Sequence, residues 1–65
     1  MTIQNNIKEL RIKKNVTQEQ LSEAVGVSRQ TIVAIEKGNY TPSLLLAINL
    51  ASFFDVSVEK LFSVK

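Results

Sequence analysis

Residues 17–38 have the sequence TQEQLSEAVGVSRQTIVAIEKG, and two helices are predicted in them, one on either side of a glycine. Thr17 starts the first helix, because its hydroxyl can cap free backbone N–H groups and Gln20, three residues later, can complete a capping box. Gly26 follows that helix at the point where a tight turn needs a residue that accepts positive φ. Ser28 caps the second helix. The pattern therefore predicts two short helices joined by a turn of about three residues.

The apolar residues of these two helices are spaced so that they can pack against one another. The first helix has an apolar face formed by Leu21, Ala24 and Val25. The second carries Ile32 and Ile35 at helical spacing, and we expect these to face the first. Ser22 is small, which lets the two backbones approach closely. Two short helices that cross at a glycine turn are typical of a helix-turn-helix.

Further helices are predicted on both sides of this unit. The first covers about residues 6–14 and ends at Asn15, since asparagine tolerates the left-handed conformation common at helix ends. Beyond the unit, Thr41 caps a fourth helix with Pro42 in its first position, and this helix ends at Asp55. It continues through Leu44, Leu46, Ala47, Leu50, Ala51 and Phe54.

One more helix is predicted near the end of the chain. Ser57 caps a short segment that contains Leu61 and Phe62. The two chain ends, residues 2–4 and 63–65, could pair as a small two-stranded ribbon. The expected fold is therefore all-α, with five helices in one domain over residues 1–65 and the possibility of a small terminal ribbon.

Composition excludes several classes of function. The 65 residues contain no cysteine and no histidine, which removes disulfides, zinc sites and histidine-based catalysis. The longest apolar region is interrupted by Asn49 and Ser52, well short of the roughly 18 apolar residues that a membrane span needs. No signal peptide is visible. We expect a cytoplasmic protein that is not an enzyme and uses neither cofactor nor metal. The net charge of +2 would, by itself, fit an ordinary solvated surface.

The second helix of the unit has a polar side that suits DNA. Once Ile32 and Ile35 are buried, the remaining face consists of Ser28, Arg29, Gln30, Thr31, Val33 and Ala34. Arginine matches guanine O6 and N7, glutamine matches adenine N6 and N7, and Thr31, Val33 or Ala34 could touch a thymine methyl group. A helix of this kind fits the major groove of double-stranded DNA. We therefore expect these six residues to contact bases.

Several segments resemble one known family. TQEQLSEAVGVS, RQTIVAIEKG, YTPSL and the closing VEKLF resemble the Cro/CI-type (phage repressor, XRE) helix-turn-helix family over nearly the whole chain. SRQTI followed by IEKGNYTPSL is similar to the short stand-alone transcriptional repressors of that family. The resemblance implies a five-helix, lambda-repressor-like DNA-binding domain.

The resemblance also implies residue roles. Gln18 matches a position that contacts phosphate and can brace Gln30. The full set of implied phosphate contacts is Thr17, Gln18, Lys37, Asn39, Tyr40 and Ser43. Arg11 and Glu36 match a partly buried ion pair that ties the first helix to the end of the third, an architectural role.

The fourth helix carries more apolar residues than its inward face needs. Those off the inward stripe, with two from the end of the chain, are Leu45, Ile48, Phe53, Val58 and Val64. An exposed apolar patch often marks an interface. We expect a twofold homodimer on this patch, with two recognition helices about 34 Å apart on a palindromic operator. Repression is favoured, because a small domain on a promoter blocks polymerase by occupancy.

Two alternatives remain at this stage. The same fold could be a protein-binding module, such as an antitoxin or anti-repressor, whose fourth helix captures another protein. An affinity that falls steeply as salt rises would indicate DNA binding. The affinity of an apolar protein interface would not fall in this way. Catalysis is the weaker alternative, since Glu19 and Glu23 lie one helical turn apart with no nucleophile or metal-ligand set beside them.

Overall fold

Five helices and two short strands make up the part of the chain that the computed structural model describes, residues 2–65. In chain order they are β1 (Ile3–Asn5), α1 (Ile7–Lys13), α2 (Gln18–Val25), α3 (Arg29–Glu36), α4 (Leu44–Phe54), α5 (Val58–Leu61) and β2 (Phe62–Val64). The strands pair antiparallel, with Ile3 opposite Val64. Backbone hydrogen bonds between Thr2 and Lys65 extend the ribbon by one pair. The expected helical fold with a terminal ribbon is confirmed.

Hydroxyl side chains begin four of the helices. Thr17 and Gln20 form a reciprocal capping box, with bonds of 3.0 Å and 2.9 Å. Ser28, Ser43 and Ser57 each accept the N–H of the residue three positions later at 3.2 Å. The predicted starts at Thr17, Ser28 and Ser57 are confirmed.

The core draws one or two side chains from every helix. Its fully buried members are Ile7, Leu21, Ile32, Ile35, Leu50 and Leu61. Burying a side chain of this size stabilises the fold by about 1.5–3 kcal/mol. Ser22 is also buried, and its Oγ donates to the Glu19 carbonyl at 2.7 Å, which satisfies the hydroxyl where α2 crosses α3. The position of α3 therefore depends on the common core.

The predicted start of α4 is wrong by two residues. Ser43, not Thr41, is the N-cap, and Pro42 lies before the helix. Thr41 and Pro42 instead line a groove against Ile3 and Phe62 of the ribbon. Both hydroxyl residues can cap a helix, and Ser43 is the one whose Oγ accepts the Leu46 N–H.

Other predictions need smaller corrections. Phe62 belongs to β2 rather than to the last helix, because it pairs with Asn5. Ala24 is exposed rather than part of the apolar face of α2. Phe53 and Val58, which we expected at the surface, are half-buried against the core. The Phe53 ring packs edge-on against Phe54, with 5.0 Å between the ring centroids.

Candidate nucleic-acid interface

The first turn of α3 lies at the surface. Ser28, Arg29 and Gln30 are exposed, whereas Ile32 and Ile35 on the opposite side of the same helix are buried. Packing of α3 on α2 decides which side is buried, and the polar first turn is left facing solvent. This is the geometry with which a recognition helix presents its N-terminal residues to base edges.

The remaining predicted base contacts are half-buried: Thr31, Val33 and Ala34. Thr31 Oγ1 lies 3.1 Å from Ser28 Oγ, which also accepts the Thr31 N–H. The two hydroxyls are therefore engaged with each other and with the helix cap. Arg29 and Gln30 are the side chains of this turn best placed to reach a base edge.

An ion pair joins α1 to the end of α3. Arg11 Nε donates to Glu36 Oε2 at 2.8 Å, and its Nη2 donates to Oε1 at 3.2 Å. Arg11 Nη1 also donates to the Val16 carbonyl at 3.1 Å. Only 12% of the arginine side chain and 5% of the glutamate side chain are exposed. A bidentate pair with so little solvent access fixes the relative position of the two helices.

The guanidinium of Arg11 keeps its charge in this setting. Its hydrogen bond to Glu36 raises its pKa above the ordinary value, burial acts in the opposite direction, and charge attraction to the same carboxylate adds to the increase. Because arginine in proteins ordinarily titrates above about pH 12, the group stays protonated at any pH used in a binding assay.

Gln18 is attached to the same ion pair. Its Nε2 donates to Glu36 Oε1 at 3.2 Å, where the sequence led us to expect a brace to Gln30. A carboxylate oxygen is a stronger hydrogen-bond acceptor than a neutral amide oxygen. The first residue of α2 is thereby joined to the last residue of α3.

An open cleft brings two of the predicted groups together. It has a volume of about 530 Å³ and is lined by Arg29 from α3 and by Thr17 and Gln18 at the start of α2. The free N–H groups of a helix start attract anions. A predicted base contact and two predicted phosphate contacts therefore border one concave surface.

The other predicted phosphate contacts lie beyond the end of α3. Lys37, Asn39, Tyr40 and Ser43 are all exposed. The hydroxyl of Ser43 is already used as a helix cap, as is that of Thr17. What remains available to a phosphate is the charge of Lys37, the side chains of Asn39 and Tyr40, and the backbone N–H groups at the helix starts.

Two residues near this surface were not singled out from the sequence. Asn5 donates from Nδ2 to the Ile35 carbonyl at 2.9 Å, a contact between residues 30 positions apart. Leu44 lies in the apolar run of α4 and is one of its most exposed side chains. No local sequence pattern predicts the Asn5 hydrogen bond or the exposure of Leu44, because both depend on how distant segments pack.

Residues 2–65 contain neither a cluster of metal-ligating side chains nor a membrane-spanning helix. No group of three or more histidine, cysteine, aspartate or glutamate side chains in this range could hold a metal ion. None of the helices described there is long and apolar enough to cross a membrane.

Fold and surface together define a helix-turn-helix domain of the DNA-binding kind. The helix-turn-helix family matches residues 7–61, and the chain belongs to this family, the Cro/CI type of DNA-binding transcription regulators.

Relatives and solved structures agree with this assignment. The chain is 53% identical over 60 residues to an uncharacterised HTH-type transcriptional regulator of Methanocaldococcus jannaschii, which covers 92% of this chain and 91% of the relative. It is 50% identical to the uncharacterised HTH-type transcriptional regulator YgzD of Bacillus subtilis, with the same coverage of 92% and 91%. Among solved structures, the restriction-modification controller protein C.AhdI from Aeromonas hydrophila matches with a TM-score of 0.76 and 30% identity, over 83% of this chain and 82% of that one.

More distant relatives differ in the direction of regulation. A transcriptional repressor of the cryptic phage CTXphi in Vibrio cholerae, RstR, is 34% identical over 91% of this chain and 53% of its own length. The HTH-type transcriptional activator BcrR of Enterococcus faecalis is 36% identical over 97% of this chain and 31% of its own length. Similarity to these proteins therefore does not separate repression from activation.

Proposed function

We propose that this chain is a sequence-specific transcriptional repressor that binds a palindromic operator as a homodimer, with α3 in the major groove. The observation that carries the proposal is the first turn of α3, which exposes Arg29 and Gln30 while the opposite face of the helix is held in the core. Base reading falls mainly to these two side chains. Ser28, Thr31, Val33 and Ala34 contribute closer, shorter-range contacts.

Residues predicted to contact phosphate lie on two sides of α3, and this placement supports the proposal. Thr17 and Gln18 lie at the start of α2, and Lys37, Asn39, Tyr40 and Ser43 lie between α3 and α4. A recognition helix with anion-binding groups before and after it can be held in one register on the duplex. Contacts of this kind set orientation, and the side chains of α3 supply the sequence preference.

The dimer is proposed to form on the exposed apolar part of α4. Leu45 and Ile48 are 69% and 48% exposed, and Leu44, which belongs to the same surface, is 74% exposed. Val64 of the ribbon is 60% exposed. Phe53 and Val58 would line the edge of the interface, since both are half-buried. A twofold axis there would place the two α3 helices about one turn of DNA apart.

Repression is the proposed direction of control. A dimer of two small domains covers a promoter and excludes polymerase by occupancy, with no need for a contact to the transcription machinery. A reporter gene carrying the selected operator tests this point. We expect reduced expression when the protein is present, and increased expression would reverse the assignment.

Selection of bound duplexes from a random DNA pool, repeated at two salt concentrations, tests the binding proposal. We expect an inverted repeat with half-site centres about 10 base pairs apart, bound more weakly at the higher salt. Arg29→Ala, run in parallel, should return the same repeat with the preference relaxed at one base pair in each half-site. Recovery of no motif at either salt would overturn the proposal.

A protein-binding role on the same fold is the second candidate. The exposed Leu44, Leu45 and Ile48 favour it, because an apolar surface of this kind can also hold another protein. This candidate would be supported by binding to another protein that does not weaken as salt rises and that is lost when Leu45 is replaced by a polar residue.

A further inference from the structure

The carboxamide of Asn5 connects the terminal ribbon to the end of α3. Its Nδ2 donates to the Ile35 carbonyl at 2.9 Å, and its Oδ1 accepts the Ile7 N–H at 3.1 Å. Asn5 is the last residue of β1, is half-buried and pairs with Phe62 across the ribbon. The side chain is therefore held at both ends and joins three segments of the fold.

The carbonyl that accepts the hydrogen bond from Asn5 also takes part in the turn that ends α3. The Gly38 N–H donates to the same Ile35 oxygen at 2.9 Å, and the Asn39 N–H donates to the carbonyl one residue earlier at 2.9 Å. These two bonds form the Schellman motif that turns the chain out of the helix. Asn5 occupies the second lone pair of that oxygen. The turn that Asn5 stabilises leads directly to Asn39 and Tyr40.

An open groove borders this turn and the ribbon. The groove has a volume of about 260 Å³ and is lined by Ile3 and Phe62 of the ribbon and by Gly38, Tyr40 and Pro42. The hydrogen bond from Asn5 to the Ile35 carbonyl is a direct, directional link between the ribbon and the end of α3.

We propose that Asn5 is a positioning residue for DNA binding. It fixes the end of α3 and so places Asn39 and Tyr40 against the phosphate backbone, although it does not itself touch DNA. This inference rests on the proposed function, since it takes that loop as a phosphate contact. Without the bond, the last turn of α3 and the loop gain freedom, while Arg29 in the first turn stays anchored by the core.

The neighbouring residue offers a matched control. Asn6 Nδ2 donates to the Lys60 carbonyl at 3.0 Å, so it makes the same type of bond from the adjacent position, but to α5. We would compare Asn5→Ala with Asn6→Ala by measuring affinity for the selected duplex over a range of salt, at temperatures where each is fully folded. Asn5→Ala should weaken binding about fivefold, as expected for one ordering hydrogen bond. It should also reduce the salt slope by about one phosphate per subunit, with unchanged base preference.

Amide hydrogen exchange supplies a readout that does not depend on DNA. In the free protein, the N–H groups of Gly38 and Asn39 should exchange faster in Asn5→Ala than in the wild type, and should be unchanged in Asn6→Ala. Asn5→Asp keeps the acceptor for Ile7 and removes the donor to Ile35. Compared with Asn6→Asp, which adds the same negative charge at the adjacent position, it tests the same bond if the alanine variant does not fold, and it should show the larger loss of affinity.

The outcomes separate this inference from the proposed function. A wild-type chain that binds no duplex overturns the proposed function and the role of Asn5 with it. A wild-type chain that binds, with equal affinities and salt slopes for Asn5→Ala and Asn6→Ala, overturns the role of Asn5 alone. Weaker binding and a shallower slope for Asn5→Ala only would support it.

Discussion

Gln18 Nε2 donates a hydrogen bond to Glu36 Oε1 across 3.2 Å, and the same carboxylate receives two hydrogen bonds from Arg11. The start of α2, the end of α3 and the side of α1 therefore meet at one glutamate. Both ends of the proposed DNA-binding surface depend on this contact, because Gln18 lies at one of them and Lys37 directly follows Glu36 at the other.

Glu36→Ala should destabilise the fold by about 3 kcal/mol, because it leaves a nearly buried guanidinium without its partner. Chemical denaturation by urea measures the change in the free energy of unfolding. Glu23→Ala is the control, since Glu23 is exposed on α2 and its loss should change stability by less than about 0.5 kcal/mol. Equal losses for the two variants would show that the ion pair has no special role.

Arg29→Ala should lower affinity for the selected operator by about 1–3 kcal/mol and relax the preference at one base pair in each half-site. Gln18→Ala should weaken binding evenly across sequences, because a phosphate contact carries no sequence information. Titration against the operator and against single-base variants measures both effects. If the two substitutions gave the same uniform loss, the separation of base contacts from phosphate contacts would be wrong.

Leu45→Glu should shift the protein to monomer, since a charge in a twofold apolar interface appears twice in the dimer and is desolvated there. Equilibrium sedimentation without DNA measures the change. Ile12→Glu is the matched control, because Ile12 is an exposed apolar residue on α1 that is not among those proposed for the interface. Wild-type protein that remains monomeric at tens of micromolar would contradict the dimer.

Gly26→Ala should cost about 1–2 kcal/mol of stability through backbone conformation alone. Gly26 has φ of +78°, and a Cβ at this position would meet no other atom within 4 Å, so steric overlap adds nothing. Gly26→Asn should cost less, because asparagine tolerates the left-handed region better than alanine. Thermal unfolding of the three proteins checks the order, and an alanine variant as stable as the wild type would contradict it.

Much of the fold could be predicted because its determinants are local. Thr17, Ser28 and Ser57 cap helices through bonds to residues three positions away, which a sequence displays directly. Gly26 and Asn15 adopt the left-handed conformation that ends a helix. The buried side of α3 follows from the spacing of Ile32 and Ile35.

The candidate site was predicted less completely, because several of its contacts join distant residues. The ion pair between Arg11 and Glu36 was predicted from family resemblance rather than from residue spacing. The hydrogen bond from Gln18 to Glu36, in place of one to Gln30, was not predicted. Thr41 and Ser43 are equally suitable caps by their chemistry, so the sequence could not choose between them. The exposure of Leu44 and the half-burial of Phe53 depend on which side of α4 meets the core.

The sequence by itself determined the helices, the caps of α2, α3 and α5, the glycine turn and the polar first turn of α3, because hydrogen bonds over three or four residues and helical periodicity act within one segment. Tertiary structure alone decided the start of α4, the acceptor for Gln18 and the link from Asn5 to Ile35. Each of these is a competition between donors, acceptors or apolar surfaces that meet only when segments far apart in the chain pack together.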